Sequence, residues 1–511
     1  MVEVKTLKQY LESKNTDSYT IPISSSEHKH FEVATDLNSK IMKRFPGTII
    51  VLVGGSCRDL FYRKFFGEEV QKNINDLDYS IFKSNNQGLN DTELTNVMEY
   101  IKSLGDYNVI DELDHLHLKI LTKADNYEIE YTSTRKEAYQ DTSRKPETSV
   151  GTVIDDIVRR DFTINAIYLN IDEINSDNIV VSPYNEETKT HIDHVRQKLL
   201  KTTTENPETV FSDDPLRVLR AIRFSGYGYD MEPGLEKAVK EFPKDDLYKK
   251  VSYERISDEL GKILQKGDID YLIKSGFIKN IIEEFGNFDD KPYKDYELQH
   301  IIDVVKMARK LAPKGQETIF LLAGLLHDVG KGGKQEGKEN DVGEWSDRKN
   351  RWTFNGHEKV SSEIARRFMK KFKFSNSMIK SVGDLIDLHM ESKFYDNAPL
   401  KTIIMWILKY SNQQKYPNLI DNVLIFNSVD CGGKSDQWKK DNPTLMKADA
   451  ISDKINKLRN VIDPIVDENK QELAEISKEI GQDKNIPNVS KPKAILKRKA
   501  NFIIGKIKNN S

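Results

Sequence analysis

Cysteine is nearly absent from this 511-residue chain: Cys57 and Cys431 are the only two. Two distant thiols make no disulfide framework and suit a reducing compartment, so a cytoplasmic protein is expected. Long apolar runs are missing too. None approaches the roughly 20 residues that cross a bilayer, and the opening MVEVKTLKQYLESK carries acids and no apolar centre, unlike a secretory leader. No membrane partner is therefore expected, and no protein partner is deducible. Charge of one sign is not in surplus. With 78 basic against 81 acidic residues the formal net charge is −3, which excludes a globally basic nucleic-acid binder. Any RNA contact has to come from local patches.

What is present is length and a change of pattern along it. The chain is too long for one core, so two to four domains are expected. Residues 1–45 read as a polar, partly helical extension with a hinge at Ser24-Ser25-Ser26. From about 48 to 170, strand-like runs (TIIVLV, LDYSIF, HLHLKIL, YEIEYT, INAIYLNI) alternate with helical stretches, the pattern of an α+β head with a small mixed sheet. NNQGLNDTE, near 85–93, is loop chemistry. From about 205 amphipathic helical patterns take over, as in PLRVLRAIRF and HIIDVVKMARKLA. KGGKQEGKENDVGEWSDRKN is a polar loop of uncommon length, a lid or a disordered segment. After Asn485 the tail carries Lys491, Lys493, Lys497, Arg498, Lys499, Lys506 and Lys508 and no acid. Such a tail suits RNA phosphates; a solvated or membrane-surface helix explains it equally. No internal repeat is found.

The densest chemistry lies in LVGGSCRDLFYRKFFGEEVQKNINDLDYSI. An apolar strand runs into Gly54-Gly55, a helical segment follows, and a second strand carries Asp76 and Asp78. Side chains two apart on a strand share a face, so the pair can hold two divalent cations for phosphoryl or nucleotidyl transfer. The glycines let backbone approach a polyphosphate, and the helix start offers free N–H groups. Arg58-Asp59 follows at fixed spacing. In EIEYTSTRKEAY, Glu128 and Glu130 also share a face. Either can supply a third carboxylate, with Glu130 preferred; a solvated sheet edge accounts for them as well. In DDIVRRDFTINAI, Arg159 and Arg160 suit triphosphate oxygens. Asp161 can accept from a ribose hydroxyl, and Asn165 can bond a sugar or fix a turn. In SDDPLRVLRAIRF, Ser212 or Asp213 is the expected cap of a helix with Pro215 in its first turn. Asp214 and Arg217 then share a helical face. As an exposed ion pair they mean little. As an acceptor beside a donor they match the Watson–Crick edges of cytosine and adenine and reject guanine and uracil. Arg220 and Arg223 continue the basic stripe.

LVGGSCRDL…NDLDYSIF, VRRDFTINAI, FSDDPLRVLRAIRF and YERISDELGKIL resemble, in order, the motifs of the class II tRNA nucleotidyltransferase/poly(A) polymerase family over roughly residues 48–265. The resemblance implies an α+β protein with a nucleotidyltransferase head (46–170), a mostly helical neck (171–290), a body (291–435) and a basic helical tail (436–511). It implies an enzyme that adds C, C and A from CTP and ATP to tRNA 3′ ends with Mg²⁺, or adenosines to RNA. It assigns Asp76 and Asp78 to the metals, and Gly54, Gly55 and Arg58 to the triphosphate. Arg159, Arg160, Asp161 and Asn165 go to the ribose motif, and Asp214 and Arg217 to the base. Glu254 and Arg255 match a motif that braces the neck helix. SPYNEETKTHID departs from the family: Ser182 replaces an Asp, and the Gly of a segment thought to act as a spring is missing. The Gly-Arg-Arg-Phe-like segment of polyadenylating members is absent from VIDELDHLHLKIL, which favours CCA addition.

The body carries four of the ten histidines in candidate motifs: YELQHIIDV (His300), LLHDVGK (His327, Asp328), NGHEKV (His357) and IDLHM (His389), with Asp430 in FNSVDCGG. His and carboxylates bind divalent metals well, although a lone His on an apolar helix is more often a core residue. The set resembles the HD phosphohydrolase superfamily. That implies His300, His327, Asp328 and Asp430 on one metal, with His357 and His389 favouring a second. A divalent transition metal such as Mn²⁺, Ni²⁺ or Fe²⁺ and phosphatase or cyclic phosphodiesterase work on RNA ends are implied.

Overall fold

The computed structural model describes residues 18–67, 74, 76–111, 116–138, 147–334, 341–391, 398–410, 418–436, 440, 448–483 and 485–510. Parts of the sequence reading at 1–17, 68–73, 112–115, 335–340, 437–439 and 441–447 lie outside the described residues. Contacts divide the chain into two compact units, Met1–Ser252 and Tyr253–Ser511. That boundary falls inside the stretch read as a neck. Among the described residues no helix is long and apolar enough to cross a membrane.

The first unit is built on a mixed sheet. Its strands are β1 (Tyr19–Pro22), β2 (Thr48–Val53), β3 (Asp76–Lys83), β4 (Tyr107–Asp111), β5 (His117–Thr122), β6 (Glu128–Ser133), β9 (Tyr168–Asn175) and β10 (Asn178–Pro183). Their order is β1-β10-β9-β2-β3-β6-β5-β4; β7 (Arg135–Ala138) and β8 (Glu147–Val150) form a separate hairpin. β3 and β6 pair in parallel, and the other neighbours run antiparallel. β3 shows why its sequence makes a strand with two unlike faces. Leu77, Tyr79 and Ile81 are buried, while Asp76 is exposed and Asp78 half-buried on the alternating positions. Fully buried Phe31, Phe61, Phe82 and Phe162 anchor the core, each worth about 2 kcal/mol by area removed from water.

Two expectations change here. The Ser24–Ser26 hinge is a helix cap. Ser24 Oγ accepts from Glu27 N at 3.3 Å, and Ser24 N donates to Glu27 Oε2 at 2.8 Å. Glu27 also takes Arg63 at 2.8 and 3.0 Å and Ile74 N at 2.7 Å, which ties the helix Ser25–Arg44 into the unit. INAIYLNI is only half a strand: Thr163–Asn165 is a 3₁₀ turn, and β9 starts at Tyr168.

The second unit is helical. Helices Lys294–Leu311, Glu317–Leu326, His357–Lys371, Asn376–Leu388 and Leu419–Gly432 surround a buried polar centre, and the basic tail forms the helix Lys491–Asn510. That tail is not a free amphipathic helix: it packs on the helix Leu400–Tyr410, with Ala500 and Ile503 fully buried. The long polar loop also has structure. Glu344–Ser346 and Arg351–Thr353 pair as an antiparallel hairpin, with Trp345 opposite Trp352.

Candidate functional site

In the first unit β2 ends at Gly54, whose φ of +81° and ψ of −142° suit glycine alone. A Cβ built there would lie 3.3 Å from Asp78 Oδ2 and 3.8 Å from Arg160 Nη1. The glycine elbow, the second aspartate and a ribose-motif arginine therefore meet at one point. The helix Gly55–Phe66 starts from this elbow with no side-chain cap, so its first amides are not taken up by a cap residue. Ser56 Oγ turns back to Val53 O at 3.3 Å.

The charges are arranged in two connected sets. Asp78 lies opposite Glu130 across β3 and β6, as Asp76 lies opposite Glu128. Burial and then the charge of Glu130 push the Asp78 carboxyl up to about 6. Glu130 goes the other way. It accepts from His117 Nε2 at 2.9 Å and pairs with Lys119 at 3.2 Å, and the His117 hydrogen bond holds it at about 2. Lys119 also pairs with Glu128. Glu130 is thus engaged by cations, and among the described residues the gatherings of three metal-binding donors do not include it, Asp76 or Asp78. It stands opposite Asp78 as a neighbouring charge.

The second set is the arginine network. Arg58 Nη1 donates to Asn165 Oδ1 at 2.6 Å, Asn165 Nδ2 to Asp161 Oδ1 at 3.0 Å, and Arg220 Nε to Asp161 Oδ2 at 2.5 Å. Asp161 also takes Phe162 N at 2.8 Å. Burial opposes its charge, but Arg220 and Asn165 hold it at about 2. Arg160 donates to Asn165 O at 3.2 Å, Tyr168 Oη at 3.2 Å and Asp156 Oδ2 at 3.1 Å. Arg159 donates to Asp156 at 2.8 Å and to Glu137 at 3.2 Å. Asp161 and Asn165 are buried, so in this geometry they orient the arginines.

The base motif is assembled differently from the sequence reading. Ser212 and Asp213 end the helix Pro207–Asp213, and the cap of the next helix, Leu216–Ser225, is made by Asp214, whose Oδ1 accepts from Leu216 N at 3.2 Å. Asp214 is extended, and the chain breaks between the two helices there. Arg217 is buried and donates to Val210 O at 3.2 Å and Arg159 O at 2.5 Å. The segment that departs from the family is a helix, Glu186–Gln197, capped by Asn185. Its His191 bonds Ala166 O at 2.6 Å and its His194 bonds Thr163 Oγ1 at 2.9 Å, so it grips the turn that carries Asn165.

The second unit gathers all six residues read from its histidine motifs. His300 Nε2 lies 3.0 Å from Asp430 Oδ1, 3.3 Å from Asp328 Oδ2 and 3.3 Å from His327 Nε2. His327 Nε2 lies 3.1 Å from Asp328 Oδ2. On the other side of the same carboxylate, His357 Nε2 is 3.1 Å from Asp328 Oδ1 and 3.2 Å from His389 Nε2. Asp328 thus bridges two donor groups, His300–His327–Asp328 and Asp328–His357–His389, all buried.

Local backbone explains the orientation. His327, His357 and His389 each give Nδ1–H to the carbonyl three residues earlier: Gly324 at 2.9 Å, Phe354 at 2.6 Å and Ile386 at 2.6 Å. His300 Nδ1 reaches Gly433 O at 3.0 Å. These carbonyls accept, so every Nδ1 carries the proton and every Nε2 presents a lone pair inward. Burial keeps His327 neutral. Four lone pairs around a carboxylate whose buried Oδ1 accepts no hydrogen bond fit divalent cations and fit little else. Gly330 is required for this packing, since a Cβ there would lie 2.6 Å from Ser361 N.

The sequence reading missed two lysines. Lys331 Nζ donates to Asp328 Oδ2 at 2.6 Å and to Glu297 Oε2 at 2.8 Å, and Lys434 contacts His300 and Asp430. Lys331 stands three residues after Asp328, a spacing that was available as a signal. Lys119, directly opposite Glu130, and His117, two residues before it on the same face, were likewise legible from strand alternation.

Comparison with known proteins agrees with this division. Residues 50–185 match the poly A polymerase head domain, and residues 298–420 match the HD domain. The chain is 33% identical over 185 residues to the tRNA nucleotidyltransferase cca2 of Schizosaccharomyces pombe, covering 33% of this chain and 36% of that one. It is 26% identical over 284 residues to an A-adding tRNA nucleotidyltransferase of Deinococcus radiodurans, covering 53% and 59%. The matches thus span about a third to three-fifths of these relatives' length. A solved CCA-adding enzyme with CTP aligns at a TM-score of 0.53 and 14% identity, over 96% of this chain and 99% of that one, which shows a shared fold. Sequence motifs, head match and fold converge: the chain joins a segment that matches the poly A polymerase head domain to one that matches the HD domain, and it shares the fold of a solved CCA-adding enzyme.

Proposed function

We propose that this chain is a template-independent nucleotidyltransferase that adds C, C and A from CTP and ATP to tRNA 3′ ends. The observation that carries the reading is the meeting of Asp78, the Gly54 elbow and Arg160 at one point, with the uncapped helix start beside it. The relatives named for tRNA and for A addition, and the shared fold of a CTP-bound CCA-adding enzyme, support the substrate class. Asp76 and Asp78 would hold Mg²⁺. When bound, the cations supply Lewis acidity to the attacking and leaving oxygens. The elbow amides receive the triphosphate, and Arg58 and Arg160 face it as fixed charges. Asn165 and Asp161 orient Arg58 and Arg220, so donors are aimed before the nucleotide arrives. Asp214 and Arg217 read the base edge. The two buried free thiols suit a cytoplasmic setting.

Incubating tRNA lacking CCA with CTP alone, ATP alone, and both tests this. C, C and A from the mixture supports it. A single A on a CC-ended substrate, with no C, replaces it by A addition only. Long A runs replace it by a poly(A) polymerase.

The six-residue centre favours a second activity of the same chain: metal-dependent phosphohydrolysis of RNA ends. Asp328 and Asp430 with the four imidazoles would hold one or two divalent transition metals, and Lys331 sets the charge of Asp328. Opening of a 2′,3′-cyclic phosphate on an RNA end by water to the terminal monophosphate, lost in His327→Ala and kept in Asp78→Ala, checks it. Opening that depends on Asp78 would leave the HD domain a scaffold.

A further inference from the structure

The hairpin Glu344–Thr353 is used by neither reaction as described, yet it is built unlike a passive loop. Two-stranded hairpins are marginal alone. This one is pinned at its base by an aromatic chain. Trp345 meets Trp352 at 5.8 Å between ring centres, Trp352 meets Tyr293 at 5.0 Å, and Tyr293 meets Phe354 at 4.9 Å. The chain ends at the metal-binding centre. Tyr293 Oη donates to Lys331 O at 3.1 Å, Lys331 Nζ lies 5.0 Å over the Phe354 ring, and Phe354 O fixes the His357 proton at 2.6 Å.

The outer end is open. Trp345 keeps 49% of its surface exposed, a wasteful place for an indole if packing were its only role. Arg348, Lys349 and Arg351 follow it, all exposed, and none makes an ion pair among the described residues. Glu344 and Asp347 leave the hairpin net positive. A single exposed apolar residue means little. An indole face with three unpaired cations within one short turn is the combination that stacks an unpaired base and neutralises the phosphates beside it.

We propose that Trp345 with Arg348, Lys349 and Arg351 is a docking platform for a single-stranded RNA end, delivering its terminal phosphate to the HD centre. The identity of the RNA end as the substrate there rests on the phosphohydrolase reading given above. A base-paired end offers no free π-face to Trp345, so the platform selects single strands.

The test uses the full metal-loaded chain and a six-nucleotide RNA ending in a 2′,3′-cyclic phosphate, with 4-thiouridine as its last base. On irradiation the crosslink is expected in the 344–353 peptide. Trp345→Ala is expected to lower its yield and raise the KM for opening of the cyclic phosphate to the monophosphate about tenfold, the scale of one stacked base. Trp345→Phe retains most of both. Hydrolysis of bis(p-nitrophenyl) phosphate, which needs no base, is unchanged in either variant. Crosslinks that fall elsewhere, an unchanged yield in Trp345→Ala, or equal competition by a blunt duplex each overturn the platform. If the wild-type chain hydrolyses neither RNA nor the small ester, while the crosslink still falls on the hairpin and weakens in Trp345→Ala, the phosphohydrolase reading fails and the RNA platform stands.

Discussion

The two candidate centres of this chain solve the problem of holding cations in opposite ways. In the head the carboxylates sit on a strand at the edge of open space: Asp76 is exposed and Asp78 half-buried. Without a cation, burial and Glu130 leave Asp78 near pH 6, so its charge is incomplete at neutrality. In the HD centre every ligand is buried, each imidazole proton is fixed by a backbone carbonyl, and Asp328 is held as an anion. Burial opposes that charge, yet the Lys331 ammonium holds the carboxyl well below the usual range. Open oxygen ligands suit a hard cation that arrives and leaves with a nucleotide. A closed set of imidazole and carboxylate suits a resident transition metal.

The largest effect that can break this contrast is loss of one head ligand. Asp76→Ala and Asp78→Ala should each lower nucleotide transfer by about three orders of magnitude or more, because the charge they hold acts on the reacting oxygens. Metal content after gel filtration should not change, since a resident metal would sit on the donor set of the other unit. Full transfer in either variant ends the nucleotidyltransferase assignment.

The next effect is on retention. His327→Ala should abolish tight metal content measured by mass spectrometry and lower the stability of the second unit by about 3 kcal/mol, the scale of truncating a large, fully buried side chain. Brief chelation should silence the head, with Mg²⁺ restoring it within mixing time, while the HD centre keeps its metal. If both centres lose metal at the same rate, the distinction between exchangeable and resident cations is wrong.

The contrast also has a pH signature. The folded pKa of Asp78 lies above its unfolded value, about 6 against 3.8. The folded state therefore binds the extra proton. The associated stability is complete below about pH 4 and is lost as pH rises through 6. The cation-free head should be less stable at pH 8 than at pH 5 by about 1 kcal/mol, allowing for partial exposure to water. Mg²⁺ should remove the difference, and Asp78→Asn should flatten it. A cation-free head equally stable at both values would show that Asp78 does not carry this tension.

How far this was legible differs between the centres for a physical reason. β3, β5 and β6 declare themselves through alternation and β2 through its apolar run, and Asp76 and Asp78 need only the two-residue strand period to share a face. Ordered motifs supplied the HD ligands. What sequence left out depends on contacts distant in the chain. β1 joins the sheet only by pairing with β10, more than a hundred residues away. The Trp345–Trp352 hairpin is a polar stretch by composition and a structure by cross-strand pairing. Glu130 is legible as a candidate from its strand face, whereas its contacts with His117 and Lys119 on β5 emerge only once the sheet is assembled. The Asp214 cap could not be told from Ser212 or Asp213 by residue type, since all three are good cap formers.

The smallest effect tests whether the head selects bases apart from holding metal. Asp214 does two things in the structure: it caps the helix Leu216–Ser225 and leads into Arg217, which the carbonyls of Val210 and Arg159 hold in place. Alanine would confuse loss of the cap, worth about 1 kcal/mol, with loss of base reading. Asparagine keeps a capping oxygen but replaces part of the acceptor with a donor. Asp214→Asn should therefore leave thermal stability and HD metal content near wild type. In four-nucleotide competition on tRNA lacking CCA, its preference for C and A over G and U should fall about tenfold, one lost polar contact's worth. Asp78→Asn, tested beside it, should lower all four nucleotides together. If Asp214→Asn lowers them uniformly as well, base choice does not rest on this residue, and the head's specificity has to be sought along Arg220 and Arg223 instead.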